Sequence, residues 1–400
     1  MHLLLMAWLA MSVRDGGAAL RSGCDADSTK IAQLAAGTPV TIRFSLSGQS
    51  EPCYKVVTTF EGNPVEGYLP GAAIADLDTF ETARKAGSGI LVTREVLQAV
   101  GAPSSSRGAN GSLSEQAAGL IESAQPSRAL ALLEPELKRG DPQLLALAGA
   151  AAWRADDPQR ALDLWRRSLA IRPNREVQEL VSQVQRETQG DQSKQRIYGA
   201  RVLLRYEDTA VSPDTARAMA AVVDQEFARI SGELGCSATE RIVTIAQSKD
   251  SYVKTTAAAE WSAGQFDGRI RVPVFDGRTI DPEMRRTLAH EVTHACLTML
   301  GRWPAWLHEG VAQSSSGQAL SAAEANAVLI QARAKRMTLS KSAEEWSNLD
   351  ADSARLAYQL ALHAIEVYRH DHGSTGLRNL LRTPERLTQV TADLDRRLGL

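Results

Sequence analysis

The sequence lacks an excess of charge of either sign. Its 400 residues carry 45 basic and 47 acidic side chains, which leaves a net charge of −2. A general nucleic-acid-binding protein needs a basic excess to neutralise phosphates, so we expect no nucleic-acid partner. The hydrophobic fraction of 44% also excludes a disordered chain. A chain of this length suits two or three domains better than one core.

Long apolar runs are missing as well. No stretch approaches the roughly 18–20 residues that cross a bilayer, so we expect no transmembrane span. The longest run, Leu3 to Val13, has the length of a signal-peptide core, although no Lys or Arg precedes it. Ala10 and Ser12 supply small residues at the −3 and −1 positions of a cleavage site. Residues 1–13 are therefore interpreted as a signal-peptide-like segment of a periplasmic or secreted protein, with a buried strand as the alternative.

Cysteine is scarce, and the four cysteines show no zinc-finger spacing. Cys24 and Cys53 lie in one small segment, where a bridge closing about 30 residues would contribute about 3–4 kcal/mol in the chain-entropy model. Cys236 and Cys296 are far apart in sequence, which is compatible with free thiols in the core. The cysteines are thus interpreted as structural at most.

The segment 14–84 has the pattern of short strands separated by glycine-containing turns, which predicts a small all-β unit. Four short motifs stand out: Leu20-Arg21-Ser22-Gly23, Ile31-Ala32-Gln33-Leu34 followed by Gly37, Tyr54-Lys55-Val56 and Gly67-Tyr68-Leu69. With these motifs the segment resembles a bacterial SH3-like domain. The resemblance implies a small barrel that docks to a cell envelope or a protein, with a spacer as the alternative. Cys53 stands where such domains usually carry Trp, so the usual aromatic groove is not expected.

A linker over 85–112, rich in Ser and Gly at its end, precedes a helical repeat. Ala129-Leu130-x-Leu132-Leu133 recurs 32 residues later as Ala161-Leu162-x-Leu164-Trp165. At this spacing, residues 113–188 resemble tetratricopeptide-like repeats. The resemblance implies a helical docking surface for a protein partner, with a rigid spacer as the alternative. The polar stretch 187–196 is then expected to separate the repeats from the rest of the chain.

Residues 196–400 alternate strand and helix signals and become largely helical from about residue 283. This order predicts an α+β unit with its helices gathered toward the C-terminus. The fold class expected for the chain is therefore multidomain: a small all-β SH3-like barrel, α-helical tetratricopeptide-like repeats and an α+β unit.

The α+β unit contains the sequence His290-Glu291-Val292-Thr293-His294, which reads HExxH. On a helix the two histidines differ by about 40° around the axis, so both imidazoles share one face. Two imidazoles and a third ligand can hold zinc with one position open, and Glu291 then lies beside the zinc-activated water rather than on the metal. The opposite face of this helix is expected to be buried: Met284, Leu288, Val292, Ala295, Cys296, Met299 and Leu300.

The third ligand is not the one used by metzincins. They need Gly three and His six residues after the second histidine, and those positions hold Leu297 and Leu300. The candidate is Glu309 in Trp303-Pro304-Ala305-Trp306-Leu307-His308-Glu309-Gly310-Val311-Ala312, which follows on a second short helix starting at Pro304. HExxH with this W-L-x-E-G-x-A signature resembles the gluzincin zinc peptidases, in particular peptidase-MA-like domains, over 196–400. Adjacent helical residues point about 100° apart, so Glu309 and His308 cannot easily both face the metal. The family pattern favours Glu309, and His308 is interpreted as a rim residue.

The resemblance implies further roles. It implies one Zn²⁺ per chain, held by His290, His294 and Glu309, and an edge strand at Arg269–Val274 that pairs with extended substrate. Tyr358 is the best match to the family's oxyanion-stabilising tyrosine, with a core tyrosine as the alternative. Farther along the chain, His370 and His372 resemble a pair of metal ligands, but they are interpreted as residues of a solvated helix end that precedes a C-capping glycine.

These patterns predict a zinc metallopeptidase of gluzincin type. It would hydrolyse peptide bonds in a peptide or protein substrate, with Glu291 as general base. The alternative is a non-catalytic envelope scaffold or adaptor that acts through its N-terminal modules and keeps a structural zinc site.

Overall fold

A computed structural model describes residues 11–23, 28–46, 53–75, 77, 112–256, 264–274, 279–341 and 351–400. Within these residues the chain is mixed α/β, with two separate sheets and many helices. This agrees with the predicted multidomain organisation. Among the described residues, no helix has both the length and the apolar character required to cross a membrane.

The N-terminal sheet is antiparallel and has the strand order β1-β4-β5-β6-β2-β3. Its core includes Leu20, Val56 and Leu69, none of which is exposed. This agrees with the all-β character expected for the segment. The strands are β1 (Met11–Ser12), β2 (Ala18–Arg21), β3 (Lys30–Leu34), β4 (Pro39–Leu46), β5 (Cys53–Phe60) and β6 (Asn63–Pro70).

The sheet begins before the expected boundary at residue 14. Met11 and Ser12 pair with β4, and Val13 forms a bridge with Ile74. Met11 and Val13 are also buried in the core of this sheet, which favours the buried-strand alternative for these residues. Cleavage after Ser12 would remove β1, and the rest of the signal-peptide-like segment, residues 1–10, lies outside the described part.

The helical segment consists of five helices that pack in chain order against their neighbours. Proline at the first position and Asp141 or Asp157 as the N-cap explain why α3 and α4 begin where they do. Gly149 on α3 lies against the indole of Trp165 on α4, and a Cβ at this position would overlap the ring. The helices are α1 (Leu113–Glu122), α2 (Pro126–Leu133), α3 (Pro142–Arg154), α4 (Pro158–Ile171) and α5 (Arg175–Gly190). Of the expected linker 85–112, only Ser112 is described, and it caps α1.

The C-terminal unit has a second sheet with the order β10-β11-β9-β8-β7. Strands β8, β9 and β11 are parallel, and the two outer strands are antiparallel to their neighbours. The expectation that Arg269–Val274 forms the edge strand is wrong, because the short β10 pairs with Ile270 and Arg271 on that side. The strands are β7 (Gln195–Tyr198), β8 (Val202–Tyr206), β9 (Ile242–Ser248), β10 (Gln265–Phe266) and β11 (Ile270–Val274).

Helices cover this sheet and extend to the C-terminus. They are α6 (Pro213–Leu234), α7 (Lys249–Thr256), α8 (Pro282–Leu300), α9 (Ala305–Ser315), α10 (Ala322–Ala334), α11 (Ala351–Arg382) and α12 (Leu387–Leu398). Gly373 interrupts α11 with a φ of 64°, in agreement with the C-capping role expected for the glycine after His370 and His372.

A group of buried charges joins the helical segment to this sheet. We define the buried charge cluster as Glu187 on α5 with Asp267, Arg269 and Arg271 at β11. Glu187 Oε1 lies 3.0 Å from Arg269 Nη1 and 2.6 Å from Arg271 Nη2, and Asp267 Oδ2 lies 2.9 Å from Arg271 Nε. Trp153 donates from Nε1 to Glu187 at 2.9 Å and stacks on the Arg269 guanidinium. All four charged side chains are at most 5% exposed.

The polar stretch 187–196 is therefore not a solvated separator. Glu187, Asp191 and Ser193 are buried, and Asp191 forms an ion pair with Arg205 of β8. This polar stretch connects the two parts of the chain through buried charges, which its composition alone did not indicate.

Cys236 and Cys296 are not free thiols, because they form a disulfide bond. The bond ties α8 to the loop that follows α6. Cys53 is also disulfide-bonded. Its expected partner, Cys24, lies outside the described residues.

Candidate metal centre

Helix α8 carries the HExxH sequence and starts at a strong capping sequence. Asp281 accepts a hydrogen bond from the Met284 amide at 2.7 Å, and Pro282 occupies the first helical position. Leu288, Val292 and Cys296 are fully buried. Ala295 is buried with them, whereas Met284, Met299 and Leu300 of the expected face are only partly buried. The packing of this face sets the direction in which His290 and His294 point.

Helix α9 carries Glu309. Pro304, expected as the first helical residue, is instead the N-cap, and the helix begins one position later at Ala305. Gly310 faces α11 so closely that a Cβ would overlap the Ala361 carbonyl group. Trp306 and Leu307 are buried beside it. Gly310 thus allows α9 to pack closely on α11, and this packing fixes the position of the Glu309 carboxylate.

The three expected ligands meet between α8 and α9. His290 Nε2 lies 3.1 Å from His294 Nε2 and 3.4 Å from Glu309 Oε2, and His294 Nε2 lies 3.7 Å from Glu309 Oε1. Donor atoms of a tetrahedral zinc site, each about 2.0–2.1 Å from the ion, are about 3.3 Å apart. The nitrogen and oxygen donors lie close enough to one another for this group to hold a metal ion.

Burial and mutual contacts set the charges of these ligands. Burial lowers the pKa of His294 to about 3, so this imidazole is neutral at ordinary pH. Burial also opposes the charged form of His290, but the hydrogen bond and charge of Glu309 outweigh it and raise the pKa of His290. The two histidines in turn hold the pKa of Glu309 below its usual value despite burial. The carboxylate is therefore ionised, as a metal ligand must be.

Glu291 lies beside the ligands and outside the donor group. It is 6% exposed. Burial raises the pKa of its carboxyl group to about 7, and the charges of Glu309 and Asp267 add to this effect while His290 opposes it. Gly264, next to β10, lies against the carboxylate: a Cβ at Gly264 would be 2.8 Å from Glu291 Oε1. A buried carboxyl group with a pKa near neutrality is suited to proton transfer.

The remaining candidates lie around this group. His308 is not one of the three donors, in agreement with the preference for Glu309. Its Nδ1 instead lies 3.4 Å from His294 Nδ1. Tyr358 is on α11, where its carbonyl oxygen accepts a hydrogen bond from Gln313 of α9 at 3.0 Å. The oxyanion-stabilising role of Tyr358 stays a prediction.

Two contacts of the site were missed by reasoning from sequence: Gly264 against Glu291, and His308 against His294. Gly264 precedes a strand of only two residues, and no sequence signal placed it near α8. The neighbouring position of His308 and Glu309 was a usable signal, because residues about 100° apart on one helix can contact two sides of the same ring.

No protein-family model matches the chain, and no curated protein matches it. The resemblances to gluzincin peptidases, SH3-like domains and tetratricopeptide repeats therefore stay predictions.

Proposed function

We propose that the chain is a zinc-dependent peptidase of gluzincin type. His290, His294 and Glu309 would hold one zinc ion. The observation that carries the proposal is the convergence of these donors next to a fourth group, Glu291, which is buried but does not belong to the donor set. A purely structural zinc site has no need of such a carboxyl group.

The side chains divide the chemical work. Zinc, when bound, supplies a Lewis acid that lowers the pKa of water toward about 7 and polarises a carbonyl group. Glu291 would take a proton from the water that attacks the peptide carbonyl and return it to the departing amine. Gly264 leaves room for the Glu291 carboxylate on the β10 side, because any side chain there would overlap it. Tyr358 is the proposed donor to the developing oxyanion.

We further propose a peptide or protein substrate, and a periplasmic or secreted location in a bacterium. The buried Cys236–Cys296 disulfide supports an oxidising compartment. The six-stranded sheet supports an SH3-like docking module, and the close packing of α3 on α4 supports tetratricopeptide-like repeats. These two modules would bind a cell-envelope component or a protein partner.

Metal analysis together with peptide cleavage tests the proposal. The full-length wild type should bind one zinc per chain and cleave members of a broad peptide library. Glu291→Gln should keep the zinc and lose about 10²–10⁴-fold in cleavage rate, because the general base is removed. Glu309→Ala should weaken zinc binding, because it removes a ligand.

Glu283→Gln is the matched control, since this residue lies on the same helix in its first turn. It should keep both zinc and activity. A wild type that binds one zinc but cleaves no peptide would contradict the peptidase and favour the non-catalytic scaffold with a structural zinc site.

A further inference from the structure

Helix α9 contacts the His294 imidazole at both of its nitrogens. On one side, His294 Nε2 lies 3.7 Å from Glu309 Oε1 and 3.1 Å from His290 Nε2. On the other side, His294 Nδ1 lies 3.4 Å from His308 Nδ1, with the two ring centroids 5.5 Å apart. Consecutive residues of one helix thus lie on opposite sides of one buried ring.

The two nitrogens of a ligating imidazole have different tasks. When Nε2 gives its lone pair to a metal, the neutral ring carries its hydrogen on Nδ1. That N–H needs an acceptor, because the His294 side chain is only 12% exposed and a buried donor without a partner is costly. The group that accepts this hydrogen bond fixes the tautomer and the orientation of the ring.

We propose that His308 is a positioning residue, whose Nδ1 accepts a hydrogen bond from His294 Nδ1–H and thereby aims His294 Nε2 at the metal. The inference depends on the metal site proposed above. It assigns the hydrogen of His308 to Nε2, so that Nδ1 carries a lone pair and can accept the hydrogen bond. It also replaces the interpretation of His308 as a rim residue.

The packing of α9 explains why both contacts can be held at once. Gly310 brings this helix against α11, and Trp306 and Leu307 are buried. Because α9 is fixed as a unit, Glu309 and His308 are held at a constant separation on the two sides of the ring. A shift of α9 would therefore change the metal contact and the supporting contact together.

Zinc affinity of the full-length protein, measured by competition with a chelator, tests the proposal. His308→Leu should weaken zinc binding about 10–100-fold, the usual effect of losing such a supporting group. His308→Asn should restore most of the affinity, because its Oδ1 lies near the position of Nδ1 and can accept the same hydrogen bond. His370→Leu, a histidine outside the metal centre, should bind zinc like the wild type.

A second readout reports the tautomer directly. In the zinc-loaded protein with ¹⁵N-labelled histidine, the His294 ring should carry its hydrogen on Nδ1, and His308→Leu should alter the chemical shift of this nitrogen. A merely structural role for His308 would change unfolding temperature without this effect.

The outcomes separate the two proposals. If the wild type binds no zinc, the metal site itself is wrong. If the wild type binds zinc and His308→Leu binds it equally well, only the role of His308 is wrong. Equal weakening in the Leu and Asn variants would assign the effect to packing and would also overturn the proposal.

Discussion

At the scale of single residues, the position of Glu291 depends on the absence of a side chain at Gly264. We predict that Gly264→Ala lowers the peptide-cleavage rate by about 10²-fold. The added methyl group would overlap Glu291 Oε1 and displace the carboxylate from the position it needs for proton transfer. Zinc affinity should change little, since the atoms nearest to an added Cβ at Gly264 belong to Glu291 and Thr287, which are not among the three donors. Cleavage kinetics and zinc titration on the same preparation check this prediction.

Gly232→Ala is the control for this substitution. Gly232 lies within α6 and has no atom within 4 Å of a built Cβ, so alanine should be tolerated there with unchanged cleavage. If Gly264→Ala cleaved peptides at the wild-type rate, the contact with Glu291 would be irrelevant to catalysis.

The charges of the site predict how many protons zinc displaces. At pH 6 the raised pKa of His290 and the pKa of Glu291 of about 7 leave both groups mostly protonated, while His294 is neutral. Zinc removes the proton of His290, and its charge lowers the pKa of the adjacent Glu291. The wild type should therefore release about two protons per zinc at pH 6, and Glu291→Gln about one.

Isothermal titration calorimetry in buffers of different ionisation enthalpy measures this release. Above pH 7 the Glu291 carboxyl is already ionised in the metal-free protein, so the difference between wild type and Glu291→Gln should disappear at pH 8. Glu283→Gln should behave like the wild type at both pH values. An equal release from the wild type and Glu291→Gln at pH 6 would show that Glu291 does not respond to the metal.

Sequence reasoning could reach the ligands but not their supporting contacts. His290, Glu291 and His294 are set by helical spacing, and Glu309 by a second short signature. Gly264 precedes the β10–β11 hairpin, and the packing of this hairpin against α8 brings Gly264 to Glu291. Nothing in the local sequence encodes which residue contacts Glu291. Contacts of this kind depend on the tertiary arrangement rather than on periodicity.

At the scale of elements, the close approach of α3 and α4 depends on Gly149. We predict that Gly149→Ala lowers the free energy of unfolding by about 1–3 kcal/mol, because the added methyl group overlaps the buried Trp165 ring. The indole also donates from Nε1 to the Ala146 carbonyl at 3.0 Å, so the ring cannot move away without losing this bond. Urea unfolding followed by tryptophan fluorescence measures the change.

Gly119→Ala, on α1, is the matched control. A Cβ at Gly119 has open space around it, and alanine favours the helix there by up to about 1 kcal/mol. If both variants were stabilised alike, α3 and α4 would be able to separate without cost.

The helices reached from sequence were those with a recurring or signature pattern, such as HExxH. Asp281-Pro282 and Asp157-Pro158 also mark helix starts, because a side-chain cap and a proline at the first position act locally. The two-residue strand β10 has no detectable alternation, so β11 was wrongly expected at the edge. β1 lies inside an apolar run whose composition fits both a signal peptide and a buried strand.

At the scale of the whole molecule, the buried charge cluster binds the helical segment to the second sheet. We predict that Glu187→Gln lowers the free energy of unfolding by about 3–5 kcal/mol, because Arg269 and Arg271 would then share only Asp267 as an acid in the cluster. The arginines hold the pKa of Glu187 well below its usual range despite its burial. Its stabilising effect is therefore present at neutral pH and lost only as the pH falls far into the acid range.

Glu179→Gln is the control on the same helix. Glu179 pairs with Arg175 at the surface, where losing the pair should change the free energy of unfolding little. Urea unfolding of both variants checks the difference, and similar small effects would show that the buried charges are solvated in solution. The burial of the stretch 187–196 could not be predicted from sequence, because polar residues in a linker and in a buried ion pair have the same composition.

The buried charge cluster also limits how this chain can have been assembled and inherited. Glu187 and Trp153 belong to the helical segment, but they neutralise and cover arginines of the second sheet. A recombination event between residues 190 and 195 that replaced the helical segment would remove this acid and this indole and leave Arg269 and Arg271 without them. We therefore expect the helical segment and the C-terminal unit to be inherited together, and related chains to vary the N-terminal sheet more freely than this pair.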